Sequence, residues 1–195
     1  PDENEMRHLS TLLITFLLTS CSTTSTDAER RWLAGDHHIH SQFSVGWEKT
    51  NPPKPIIGGD AIYPIPKNAE MARQFGLEWI VATDHGGPNH SKINLEQAYP
   101  ALVASREKVP EVIQFHGMEL NTPGADHSSL IVPHTPDEAA HLHAFESRFD
   151  KLEAWPTDPE RDTEAIMLDA LAFAATLPQK PVVIAHHPSR SATAL

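Results

Sequence analysis

The sequence predicts a mixed α/β domain with parallel strands, and three observations carry that expectation. Short apolar runs alternate with helical patterns from Trp32 onward. Trp79-Ile80-Val81-Ala82 and Pro181-Val182-Val183-Ile184-Ala185 are continuous apolar runs, the pattern of strands covered on both faces. Polar residues able to do chemistry close these runs and do not interrupt them, and strand ends are where such folds assemble sites. The alternation is compatible with an open sheet or a barrel.

Taken in order, Leu33 to His40 reads as the first strand. Ser44 to Pro66 carries several Pro and Gly residues without a period, and reads as a long loop over one end. Pro66 to Phe75 is helical, with Ala69, Met71, Ala72 and Phe75 apolar and Gly76 as C-cap. Leu77 to Thr83 is the second strand, and Leu95 to Lys108 a helix kinked or divided by Pro100. Val112 to His116 and Ser128 to Val132 are the third and fourth strands. Thr135-Pro136-Asp137-Glu138 opens a helix with a cap residue, a proline and solvated acids in its first turn. Thr163 to Thr176 is the last helix, and Pro181 to Ala185 the fifth strand.

The 195 residues suffice for one domain with a substantial core, at 39% hydrophobic and 21% charged. The formal net charge of −11, with no Lys/Arg run, argues against a nucleic-acid surface, which rests on clustered cations. The compositional outlier is the set of 13 histidines.

Residues 1–30 differ from the rest. Met6-Arg7-His8 precedes an apolar run from Leu9 to Leu18, too short for a spanning helix of roughly 20 residues but suited to a signal peptide. Leu18-Thr19-Ser20-Cys21 resembles the bacterial lipoprotein box, which makes Cys21 the lipidated residue; the alternative is a lone free thiol. The expected organisation is a signal peptide over 1–21, a polar tether over 22–30 and one domain over 31–195. That places the domain at the cell envelope, facing the periplasm, with membrane contact only through the lipid.

Histidines and carboxylates gather at the strand ends: His38 and His40, Asp84-His85, Glu119 with His127, then His186-His187-Pro188. Two apart on a strand, His38 and His40 share a face and His37 points away; by the same rule His186 and His187 do not both point inward. Imidazole and carboxylate without thiolate suit zinc, manganese or iron.

Asp36-x-His38-x-His40-Ser41, Thr83-Asp84-His85, Gly117-x-Glu119 and Ala185-His186-His187-Pro188, in that order, resemble the PHP family (polymerase and histidinol phosphatase). The resemblance runs from about residue 34 to the end. It implies a distorted TIM-like (β/α)7 barrel holding two or three divalent ions (zinc, manganese or iron) and hydrolysing a small phosphorylated substrate. Carried over, His38 and His40 hold one metal, Glu119 bridges two, and His85, His127 and His187 complete the set, with His186 the alternative to His187. A metal-bridging hydroxide is the implied nucleophile, and Asp84 joins the catalytic group by orienting a histidine. Arg190 is a candidate grip on substrate phosphate or a surface ion pair, and His90 a substrate contact or an exposed loop residue. His116 reads as a packed neighbour, and His134, His141 and His143 as helix-surface residues.

Two departures stand out. Where many members read Ser-Asp-Gly, this chain reads Ser44-Val45-Gly46, which removes a carboxylate. The family's late Asp-x-His pair does not follow Pro188, so the barrel is expected to be incomplete at its C-terminal end, which leaves open whether this chain is active. Other readings are an amidohydrolase-type metal enzyme, which often uses a lysine on a middle strand, and a non-catalytic metal-binding envelope lipoprotein. No lysine lies in Ile113 to Leu120, and the histidines follow strands, not flexible acidic loops.

Overall fold

A computed structural model describes residues 30–186. In chain order its elements are β1 (Gly35–Ile39), β2 (Val45–Trp47), β3 (Pro55–Ile57), α1 (Ile65–Gln74), β4 (Trp79–Ala82), α2 (His90–Ile93), α3 (Tyr99–Lys108), β5 (Ile113–Asn121), β6 (His127–Val132), α4 (Glu138–Phe149), α5 (Glu164–Thr176) and β7 (Val182–Ala185). The calls on Cys21, His187 and Arg190 lie outside the described residues.

The main sheet has the order β1-β4-β5-β6-β7, a mixed α/β arrangement. β1, β4 and β5 are parallel, as expected from the apolar runs. The fourth strand corrects the expectation, because β6 runs antiparallel to β5 and β7 antiparallel to β6. A short turn over 122–126 joins β5 to β6, whereas a parallel crossover needs about a dozen residues or more. This reversal has a functional consequence: the first residue of β6 lies at the same end of the sheet as the last residues of β1, β4 and β5.

The sheet is curled. β1 and β7 are its two edges, and four strand spacings of about 4.8 Å would hold them about 19 Å apart in a flat sheet. Instead the rings of His38 and His186 stand 4.0 Å apart, and Ser129 Oγ on β6 donates to the His37 carbonyl on β1 at 3.3 Å. Side chains from opposite edges therefore meet inside a half-barrel.

Strand alternation sorts the side chains between the two faces. Met118, Leu120, Leu130 and Val132 turn to the convex face and pack under Leu142, Phe145 and Phe149 of α4 and Ala170 and Ala174 of α5. Ile80 packs with Ala69 and Ala72 of α1, and Ala82 with Leu102 of α3. The intervening positions, including Thr83, Glu119, His127 and Ser129, face the concave side, where the polar groups collect.

Other elements depart locally from the expectations. The stretch read as a loop from Ser44 to Pro66 contains the antiparallel pair β2–β3. Gly46 permits it: a Cβ there would lie 2.5 Å from the Gly59 carbonyl carbon, so any side chain would push the returning strand away. α1 ends as expected, with Gly76 at φ +81° just past the helix. Helical structure begins at His90, earlier than expected, and continues through a π-helical turn over Asn94–Ala98 into α3. Pro100 falls just after the π-helical turn, where the helical hydrogen-bond pattern changes and its missing N–H is accommodated. β5 runs past His116 to Asn121 because Glu119 and Asn121 pair with Ser129 and His127 across the hairpin. Glu138, read as a solvated helix-entry acid, is fully buried and gripped by both terminal nitrogens of Arg106. α5 lies where expected, and Thr163 caps it, accepting from the Ile166 N–H at 3.3 Å. Among the described residues, no helix is long and apolar enough to cross a membrane.

Candidate metal centre

Four strands bring the site together: His38 and His40 come from the end of β1, His85 follows β4, Glu119 lies near the end of β5, and His127 opens β6. His186, directly after β7, joins them. Backbone bonds lock the ends in register: Glu119 N–H donates to the Asp84 carbonyl at 3.0 Å, Gly86 N–H to Glu119 at 3.2 Å, and His186 N–H to His127 at 3.0 Å.

Glu119 is the hub. Its Oε2 lies 2.8 Å from His40 Nε2 and 3.6 Å from His38 Nε2. Its Oε1 lies 3.1 Å from His127 Nδ1 and 3.5 Å from His186 Nδ1. His85 Nε2 stands 3.2 Å from His127 Nε2. Two groups able to hold a metal ion result, His38–His40–Glu119 and His85–Glu119–His127, and they share the one carboxylate.

The outer contacts of three rings follow one pattern. Nδ1 of His38 meets Thr83 Oγ1 at 3.2 Å, Nδ1 of His40 meets Asp60 Oδ2, and Nδ1 of His85 meets the Gly86 carbonyl at 3.0 Å. A carboxylate or carbonyl only accepts, so His40 and His85 each carry a proton on Nδ1 and turn Nε2 inward. Outer partners of this kind fix the ring and tautomer of metal-binding histidines.

This donor set fits a cation. His40 Nε2 is buried and makes no hydrogen bond, although Glu119 Oε2 is 2.8 Å away. With Asp60 taking the Nδ1 proton, Nε2 faces a carboxylate oxygen and calls for positive charge between them, supplied by a second ring proton or by a metal ion. Two nitrogens bound tetrahedrally at roughly 2.0–2.1 Å would stand about 3.3 Å apart, close to the 3.2 Å between Nε2 of His85 and Nε2 of His127, whose other nitrogen faces Glu119.

The electrostatics agree. Burial, reinforced by the neighbouring histidines, pulls His38 down to about 4 against the pull of Glu119, and burial also lowers His85. For His40 burial acts downward too, but Glu119 and Asp60 outweigh it and raise the pKa. Burial would raise Glu119, yet the imidazoles of His127 and His40 hold it well below the usual carboxylate range. Burial thus favours neutral imidazoles at His38 and His85 beside an ionised carboxylate at Glu119, the forms that bind metal.

Several expected residues sit elsewhere or act differently. β1 is irregular between Asp36 and Ile39, so simple alternation fails and His37 does not point away: its ring lies 5.4 Å from that of His186. Asp84 is buried and bonds no histidine ring among the described residues; it accepts from Ser41 N–H at 2.5 Å and Ser41 Oγ at 2.7 Å, pinning the residue after His40. His90 is not open to substrate: it is fully buried, with Nδ1 2.6 Å from Glu146 Oε1 and Nε2 3.1 Å from the Phe43 carbonyl. His116 is a packed neighbour as expected, its ring 5.1 Å from that of Tyr99 and its pKa lowered to about 3 by burial. Asp60 and Thr83 are the contributors the sequence reading passed over. Thr83 had a signal, its place directly before Asp84-His85 on a strand. Asp60 had only the Gly58-Gly59 that precedes it.

No protein-family model and no curated protein matches the chain.

Proposed function

We propose that the chain is a metal-dependent phosphoester hydrolase of the PHP type, on a TIM-like barrel, acting on a small phosphorylated substrate. The observation that carries this reading is Glu119, with one carboxylate oxygen turned to each of two histidine groups. Paired ions sharing a carboxylate are a recurring device for in-line displacement at phosphorus, and a single binding site would need no such bridge. Zinc, manganese or iron suits the nitrogen and oxygen donors, and when bound such ions activate water and neutralise phosphoryl oxygens.

The chain's own residues then have distinct tasks. His38 and His40 hold one position with Glu119 Oε2; His85 and His127 hold the other with Oε1. Ser129 bonds His186 Nε2, keeping that ring against Glu119 and His38. Asp84 fixes the backbone after His40 through Ser41. A cleft of about 450 Å³ along β1 and α1, with Tyr63, Met71 and Phe75 on its wall, gives room for the organic part of a substrate. The Leu18-Thr19-Ser20-Cys21 signature adds lipid attachment at the cell envelope to the reading.

The test is hydrolysis of a panel of phosphomonoesters and phosphodiesters by the chain loaded with zinc, manganese or iron. Turnover of at least one ester, abolished by chelation and in Glu119→Gln, is the expected result. Tight metal binding with no ester hydrolysed would replace this reading with that of a metal-holding protein.

A further inference from the structure

We propose that Asp60, carried in by the β2–β3 hairpin, is a positioning residue for His40: it holds the ring's Nδ1–H and so aims Nε2 at the metal position beside Glu119. The inference rests on the metal-centre reading and extends it to a residue in an aperiodic stretch of sequence.

Three contacts place Asp60. Its Oδ2 closes on His40 Nδ1 and also accepts from Ser44 Oγ at 2.9 Å. That same Ser44 Oγ accepts the backbone N–H of His85 at 2.9 Å. One carboxylate oxygen thus braces a histidine of the first group and, through a single hydroxyl, the main chain of a histidine in the second. The backbone at His40 is already held, since Asn68 Nδ2 donates to its carbonyl at 2.9 Å and Asp84 holds Ser41. Rotation of the ring is the freedom that remains, and Asp60 removes it.

The hairpin is built to make this delivery. Gly58 N–H donates to the Ser44 carbonyl at 2.9 Å, and Gly59 N–H to Ile56 at 3.0 Å, so the chain turns tightly just before Asp60. Gly58 takes φ +71°, and the bare Cα of Gly46 lets the Gly59 backbone come close. Ser44-Val45-Gly46 itself holds no carboxylate; the hairpin brings one to Ser44 from sixteen residues further along.

The experiment compares wild type, Asp60→Ala, Asp60→Asn and, as a control in the same hairpin, the exposed Glu48→Ala. Imidazole ¹⁵N NMR of the metal-free proteins under mildly alkaline conditions reads the His40 tautomer, and competition with a chromophoric chelator reads zinc affinity. Wild type and Glu48→Ala should carry the proton on Nδ1, whereas Asp60→Ala should lose that preference and bind zinc roughly 10–100-fold more weakly. Asp60→Asn, whose amide oxygen still accepts from Nδ1–H, should keep the tautomer and fall between. An Asp60→Ala protein with the wild-type tautomer and unchanged affinity would overturn the proposal. A wild-type chain that binds no zinc defeats the hydrolase reading, and the tautomer comparison then decides the role of Asp60 by itself.

Discussion

Glu119 is the residue on which the centre turns. Buried at 2% exposure, it is kept ionised by the imidazoles around it, and each of its oxygens serves a different group. Glu119→Gln preserves volume and removes the charge, so it should weaken zinc binding by more than the roughly 10–100-fold typical of an outer-contact loss. Chelator competition measures this, and a Gln variant with wild-type affinity would remove Glu119 from the centre. The ligand candidates were legible at this scale because they end apolar runs, and a strand end is a place the sequence marks. Asp60 was not, since its position depends on how a hairpin folds back and no periodicity encodes that. His90 misled for the opposite reason. Its Gly-rich neighbourhood reads as a surface loop, but the chain turns inward there and buries the ring against α4.

At the scale of elements, the reversal of β6 matters most. A parallel fourth strand would have placed His127 at the far end of the sheet from His85; antiparallel pairing sets it across from Asn121. The short link between Asn121 and His127 contained that information, because it is too short for a crossover. α2 acts as a clasp. His90 ties the Phe43 carbonyl, just after β1, to Glu146 on α4, and Asn94 Nδ2 adds a bond to Glu146 Oε2 at 3.1 Å. Burial lowers the His90 pKa, but Glu146, helped by Asp84 and Asp150, overrides it and raises the value to about 9. The pair therefore stabilises the fold fully below the unfolded histidine value of about 6.5, and its contribution fades as pH climbs through about 9. His90→Ala should cost about 3–5 kcal/mol at neutral pH, since it leaves Glu146 buried without its partner. Denaturant titrations of both proteins across this range should show the gap narrowing as pH rises, and a gap independent of pH would contradict the assignment.

Over the whole molecule, the mixed α/β class was legible because continuous apolar runs and helical periods are local signals. The curl of the sheet was not, since it emerges only when β1 and β7, at opposite edges, bring His38 and His186 together. The convex face is a conventional packed layer under α4 and α5, and the metal-binding groups gather on the concave face at the strand ends. The centre draws on segments from His38 to His186, so it exists only when the entire sheet has formed. The most direct test is an anomalous difference map from crystals of the zinc-loaded chain, measured at the zinc edge. Density is expected on both sides of Glu119, one peak against His38 and His40 and the other against His85 and His127. Zinc bound away from Glu119, or absent from both positions, would contradict it.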